Sequence, residues 1–308
     1  MTVTILGVPT NSSGTTGGVA RAPAAVRSGG LSAELDAIGP DVIDAGDIVV
    51  DRPIGVRGED GVIDGTNLAT TLARTRAAVA DARRRGDRVI LLGGDCPVLI
   101  GGLAGCRDAA GLLPGLLFVD GHEDAWPPDL STTGEAADME LGWLLGRGLD
   151  PLSDALRTEI PQLAPELVAV LGPRDRSEIV AAGVEPLDNL VPVLDDVAVA
   201  RDPAAAAVGA LGRIAPDGEP WWLHVDLDVL STEALPAVDY QQPGGLSWSD
   251  LRELADAALG RGGCVGATVT IYNPDLDPDG RFASTIATFV SDLAGRLAPS
   301  RGVGERYP

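Results

Sequence analysis

Carboxylates and imidazoles gather at three points in this chain, each directly after an apolar run. The first is Leu91-Leu92-Gly93-Gly94-Asp95-Cys96-Pro97, which ends a strand pattern and opens a helix. Its glycines permit a tight turn and close backbone approach, and Cys96 is either a thiolate ligand or a small buried side chain at a helix start. The second is Phe118-Val119-Asp120-Gly121-His122-Glu123-Asp124. Alternate residues of an extended segment point the same way, so Asp120, His122 and Asp124 can face one point, either as a metal face or as a solvated acidic loop. The third is Trp221-Trp222-Leu223-His224-Val225-Asp226-Leu227-Asp228, where parity puts His224, Asp226 and Asp228 on one face and the apolar residues on the other. Two aspartates at the end of a buried strand are costly unless paired or metal-bound. His224 itself reads as a satisfied core histidine, with acid–base work as the alternative.

The chain has only two histidines, one in each of the last two segments. Four aspartates and at least one imidazole packed together would repel one another without cations, and two divalent ions would relieve that repulsion. Hard oxygen ligands with an imidazole suit Mn²⁺ best, with Fe²⁺, Co²⁺ or Zn²⁺ as alternatives.

These residues need a scaffold. Val3–Val8, Arg88–Leu92, Leu116–Val119, Leu167–Leu171, Trp221–Val225 and Cys264–Ile271 read as strands. Ala22–Leu35, Asn67–Arg85, Pro203–Arg213, Trp248–Leu259 and Ser284–Leu297 have helical spacing. Leu68, Leu72 and Val79 form one face of the Asn67–Arg85 helix, with Gly86 as its stop. Strands alternating with helices predict a three-layer α/β/α architecture around a mainly parallel sheet. No internal repeat or long linker divides the 308 residues, so one domain over residues 1–308 is expected. The stretch from Asp51 to Asp64 reads as a loop, and the tail after Pro299 as poorly ordered.

The formal net charge of −22 disfavours nucleic acid as a partner. No apolar run is long enough to span a bilayer, and Met1 leads into Val3-Thr4-Ile5-Leu6-Gly7 without a basic leader. A membrane partner is therefore not expected, and a cytoplasmic location is. Three cysteines, Cys96, Cys106 and Cys264, fit a reducing compartment better than a disulfide framework. Gly14–Gly18 follows the first strand pattern but lacks the spacing of a dinucleotide-binding loop.

In order and spacing, the motifs resemble those of the arginase/agmatinase/formiminoglutamase (ureohydrolase) family over nearly the whole chain. The opening Ile5-Leu6-Gly7-Val8-Pro9 and the later Gly17-Gly18-Val19-Ala20-Arg21-Ala22-Pro23 are similar to the arginase branch. The family's Gly-Gly-Asp-His appears as Gly93-Gly94-Asp95-Cys96, and its Asp-Ala-His-x-Asp as Asp120-Gly121-His122-Glu123-Asp124. Its Ser-x-Asp-x-Asp appears as His224-Val225-Asp226-Leu227-Asp228, followed by Gly244-Gly245-Leu246 and Asn273-Pro274. The resemblance implies an arginase-like fold and a binuclear site. One ion would take Cys96, Asp120, Asp124 and Asp226, and the other Asp120, His122, Asp226 and Asp228. It also implies hydrolysis at the planar carbon of a guanidinium or formimino group by water activated at the metal pair, in a small-molecule substrate, within a homo-oligomer (a trimer or hexamer).

The departures concentrate where the family handles substrate. Ala137, in Thr133-Gly134-Glu135-Ala136-Ala137-Asp138, stands where the family has a proton-shuttling histidine. Ile271 replaces the glutamate that anchors a guanidinium, Trp126 an asparagine, and Arg174-Asp175-Arg176-Ser177 an Arg-Asp-x-Asp. The expected substrate-binding positions are accordingly Trp126, Thr133, Asp175, Ser177 and Ile271, in a pocket more apolar than that of arginase. Glu135, Asp138 or His224 would act as general acid or base in place of the histidine. Each lost contact would leave a polar group of arginine unpaired, at about 1–3 kcal/mol apiece. The expectation is thus a divergent C–N hydrolase acting on an amidino, imino or amide substrate other than plain arginine, in specialised metabolism, and neither a standard arginase nor an agmatinase. The competing expectation is a non-catalytic or repurposed protein on the same fold.

Overall fold

Among the described residues, eight strands form one all-parallel sheet: β1 (Val3–Val8), β2 (Val42–Asp47), β3 (Arg88–Gly93), β4 (Gly115–Val119), β5 (Val168–Gly172), β6 (Val193–Asp195), β7 (Trp221–Asp226) and β8 (Cys264–Thr270). Their order across the sheet is β2-β1-β3-β8-β7-β4-β5-β6. The computed structural model describes residues 2–299, so the tail after Pro299 lies outside the described residues. Every residue of β1, β4, β5 and β7 is buried, as strands covered on both faces must be.

The longer helices are α1 (Gly65–Arg84), α2 (Val98–Ala110), α3 (Pro203–Ile214), α4 (Trp248–Gly260) and α5 (Arg281–Leu297). Strand parity sorts the interior into two cores. Ile90, Leu117, Val119, Leu223 and Val225 pack with residues of α3, α4 and α5. Leu91, Phe118 and Trp222 pack on the other face with Leu72 and Val79 of α1 and Leu99 and Leu103 of α2. This is the α/β/α layering expected from the alternation of strand and helix patterns. Among the described residues, no helix is long and apolar enough to cross a membrane.

Two expectations fail for local reasons. The single helix over Ala22–Leu35 is broken: α-helical turns at Ala22–Val26 and Ser32–Ile38 flank an irregular stretch in which Gly30 has φ 111°, a left-handed conformation that glycine supplies. The strands β2 and β6 escape the apolar-run criterion because they are the outermost strands. Only Val42 of β2 is buried, its other residues being half-buried or exposed, and Arg27 pairs with both Asp44 and Asp47 along it.

Candidate metal centre and active site

The four central strands, in spatial order β3, β8, β7, β4, direct their carboxyl ends to one place, where open parallel sheets form their sites. Asp95 and Cys96 follow β3. Asp120 to Asp124 follow β4. Asp226 ends β7, Asp228 sits in the 3₁₀ turn Leu227–Val229, and Ile271 follows β8. Close packing of the turns fixes this arrangement. A Cβ on Gly94 would come within 2.0 Å of the Thr10 carbonyl oxygen, and the Ile271 amide donates to the Gly94 carbonyl at 2.9 Å.

The expected ligands converge in two of the three donor groups among the described residues, each with all atoms within 4.8 Å of one another: Cys96, Asp120, Asp124 and Asp226, and then Asp120, His122 and Asp228. Asp120 is common to both. Asp226, expected in both, joins only the first. Its Oδ2 accepts the Cys96 thiol at 2.8 Å, and its Oδ1 accepts the Asp228 amide at 2.6 Å. The 120–124 segment is not the extended strand that alternation supposed. β4 stops at Val119, and Asp124 takes φ 43°, so a kinked loop aims the three side chains.

Without cations this floor is electrostatically overloaded. Burial, then the charges of neighbouring carboxylates, drives Asp124 and Asp226 well above the usual carboxylate range, and raises Asp120 for the same reasons. Asp228 goes the other way. Burial opposes its ionisation, but His122, Arg174 and the Gly121 amide outweigh burial and hold it low. His122 Nδ1 lies 3.0 Å from Asp228 Oδ2. Burial disfavours the imidazolium, yet Asp228 and Asp120 carry the His122 pKa up to about 10. Among the described residues, the buried Asp120 Oδ2 has no hydrogen-bond partner. A floor of oxygen donors, one thiol and an imidazole, with an orphaned carboxylate oxygen and too much negative charge, fits divalent metal.

Above the floor opens a cavity of about 350 Å³. His122, Asp124, Asp226 and Asp228 line it, whereas Cys96 and Asp120 lie beneath. Of the residues expected to handle substrate or protons, Trp126, Thr133, Glu135, Asp138, Asp175 and Ile271 line it. Ser177 does not; it is exposed in the short helix Arg176–Ala181. His224 does not either. It is fully buried below the floor and stacked on Phe118, with ring centroids 4.6 Å apart, so direct contact with a substrate in this cavity is closed to it. Ile271 holds φ 65°, an outlier for a β-branched residue.

The cavity is acidic rather than apolar. Among the described residues, nine of the twenty that line it are aspartate or glutamate and none is lysine or arginine. Local pattern could not show this, because Asp95, Asp138, Asp175 and Asp239 arrive from separate loops. Burial, with neighbouring carboxylates, pushes Glu135 to about 7; burial chiefly takes Asp95 and Asp175 to about 6. The Tyr240 hydroxyl donates to Glu135 Oε1 at 3.1 Å, and Thr133 and Ser131 donate to Asp138.

Sequence reasoning missed Tyr240, Asp239 and Glu140. Glu140 is fully buried with both carboxylate oxygens unpartnered. Its one visible signal was a lone carboxylate at the head of the otherwise apolar run Leu141–Leu145.

Comparison with known proteins gives one consistent answer. The model of the arginase family matches residues 1–295. An arginase from Bacillus caldovelox is 26% identical over 300 residues, covering 95% of this chain and 98% of the relative. A formimidoylglutamase from Klebsiella pneumoniae is 25% identical over 241 residues, covering 75% and 69%. The crystal structure of arginase from Bacillus cereus superposes with a TM-score of 0.80 at 25% identity, covering 96% of this chain and 99% of that one.

Proposed function

The chain belongs to the arginase family of hydrolases, and from that premise we propose that it uses two divalent ions to hydrolyse a C–N bond in a cationic amidino or imino compound other than arginine. The observation that carries this reading is the convergence of Cys96, Asp120, His122, Asp124, Asp226 and Asp228, the last four of which line an acidic cavity. Divalent ions bound there supply a nucleophilic water at neutral pH and polarise the planar carbon. The oxygen-rich donors exposed to the cavity favour Mn²⁺.

The chain's own residues do the rest. The carboxylates of the cavity wall attract a cation and repel an anion. Arginine would bring a carboxylate among Glu135, Asp138, Asp175 and Glu178, with no lining lysine or arginine to receive it. Trp126 and Ile271 offer apolar surface to the body of the substrate. Glu135, with its pKa raised to about 7, can hold a proton for the leaving nitrogen at neutral pH. Ala137 lines the same cavity without a titratable group. That favours the second reading, a repurposed protein without turnover; Glu135, two residues away in the same cavity, weighs against it. We further propose that residues 1–308 act as one domain within a homo-oligomer in the cytoplasm.

The test is a panel of guanidino and formimino compounds, with and without a carboxylate, assayed for urea, formamide or ammonia on Mn²⁺-loaded protein. Turnover confined to cationic members without a carboxylate is expected. Arginine turned over as well as any other member would contradict the substrate reading, and no turnover of any member would favour the non-catalytic one.

A further inference from the structure

Beneath the cavity floor lies a third group of donors. Cys96 Sγ, an Asp120 oxygen, a Glu140 oxygen and a His224 nitrogen all lie within 4.8 Å of one another, every residue buried. We propose that these four side chains form an inner cation subsite selective for a borderline-soft ion such as Zn²⁺ or Co²⁺, and that it, rather than the Cys96–Asp120–Asp124–Asp226 set, holds the more tightly bound metal. The proposal rests on the metal-binding reading of the floor and changes which residues carry it out.

Four observations support it. Both Glu140 oxygens and both His224 nitrogens are buried and, among the described residues, have no hydrogen-bond partner. Orphaned polar groups of this kind are rare in folded proteins and call for an ion or a bound group. Asp120 divides its oxygens: Oδ1 accepts the His122 amide at 2.8 Å, while Oδ2 is unpartnered and 3.7 Å from His224 Nε2, beyond hydrogen-bonding range. Asp124 and Asp226 line the cavity, whereas Cys96, Asp120, Glu140 and His224 do not. The donors therefore sort into an outer, oxygen-rich layer facing substrate and an inner layer carrying the sulfur. Finally, a thiolate, an imidazole and two carboxylates match the four-coordinate donor set of zinc, while Mn²⁺ prefers harder ligands. His224, which neither touches substrate space nor has a satisfied hydrogen bond, gains a role as ligand.

The two candidate sets differ in one chemical respect that can be measured. The inner set places a sulfur and an imidazole on the same ion; the Cys96–Asp120–Asp124–Asp226 set contains no histidine. The full chain, stripped by chelation and reloaded with one equivalent of Zn²⁺, is examined by X-ray absorption. The expected first shell has one sulfur at about 2.3 Å and one nitrogen at about 2.0–2.1 Å, with the outer-shell scattering of an imidazole. Sulfur without imidazole, or imidazole without sulfur, overturns the proposal. Co²⁺ titration gives a second readout. Sulfur-to-cobalt charge transfer should appear with the first equivalent, and Glu140→Gln and His224→Asn should each weaken that equivalent by roughly tenfold or more. Asp124→Asn, at a position beside Glu140 but outside the inner donor group, should weaken it less than either. Dependence on Asp124 instead of Glu140 and His224 overturns the inner subsite while leaving the metal reading intact. Failure of the wild type to take up any metal overturns both. The wild-type spectrum decides the matter even where a variant folds poorly.

Discussion

Replacing Glu135 by glutamine tests the proton chemistry most sharply. In the cavity Glu135 is half-buried, and burial followed by the charges of Asp95 and Asp138 takes its pKa to about 7. It is therefore about half protonated at neutral pH, where a general acid or base works best. Glutamine keeps the shape and can still accept the Tyr240 hydrogen bond at the Oε1 position, but it cannot exchange a proton. The expected loss is about 10²–10⁴-fold in kcat, the usual contribution of such a group, with KM little changed. As the donor to the leaving nitrogen, Glu135 must be protonated, so the wild-type rate should fall as pH rises above about 7. That limb should vanish in the Glu135→Gln variant. Tyr240→Phe supplies the sign test. The hydroxyl's hydrogen bond lowers the Glu135 pKa, so its removal should move the limb to higher pH. Steady-state kinetics across pH on the substrate found by the panel, with carbon NMR of the Glu135 carboxyl as a readout independent of turnover, measure both effects. Wild-type kcat in Glu135→Gln, or a limb moving to lower pH in Tyr240→Phe, would refute the reasoning.

Two further outcomes follow from the same structure. The chelated protein should lose stability between about pH 5 and pH 8. Asp95 and Asp175 near 6, and Glu123 and Glu135 near 7, keep protons in the folded state that the unfolded chain releases near pH 4, so the folded state binds more protons and stability falls as pH rises. His122 acts in the same direction: its contribution is full below its unfolded value of about 6.5 and is lost as pH rises through about 10. Added Mn²⁺ should offset the loss, more strongly at the higher pH because it competes with protons for the same ligands. Melting temperatures with chelator and with Mn²⁺ check both, and a chelated protein that gains stability over this range would contradict the electrostatic account. At α4, Ser247 and Asp250 form a reciprocal capping box, so Ser247→Ala should cost about 0.5–2 kcal/mol, read from urea unfolding.

The fold and the metal-capable residues were legible for a physical reason. Strands β3, β4, β5, β7 and β8 are buried on both faces and so appear as apolar runs, and a parallel sheet collects its polar residues where those runs end. That rule brought forward the three clusters, and the resemblance to the arginase family then singled out Cys96, Asp120, His122, Asp124, Asp226 and Asp228 within them. The outermost strands β2 and β6 lack the apolar signature, and Gly30 broke a helix that periodicity alone would have continued. The acidity of the cavity was hidden because Asp95, Asp138, Asp175 and Asp239 meet only in three dimensions. Glu140, at the head of the short helix Glu140–Leu144, was hidden because nothing in the sequence says which carboxylate will be buried against His224. Parity put His224 on the face of Asp226, yet depth decides its chemistry, and depth is a tertiary property: the side chain lies under the floor, away from substrate.

The central claim is that the floor holds divalent metal, and Asp120, the one residue common to all three donor groups, gives its most direct test. Elemental analysis of the protein purified with Mn²⁺ supplied should find about two divalent ions per chain, and of the Asp120→Asn variant essentially none. No metal in the wild type, or a content indifferent to Asp120, would contradict the account.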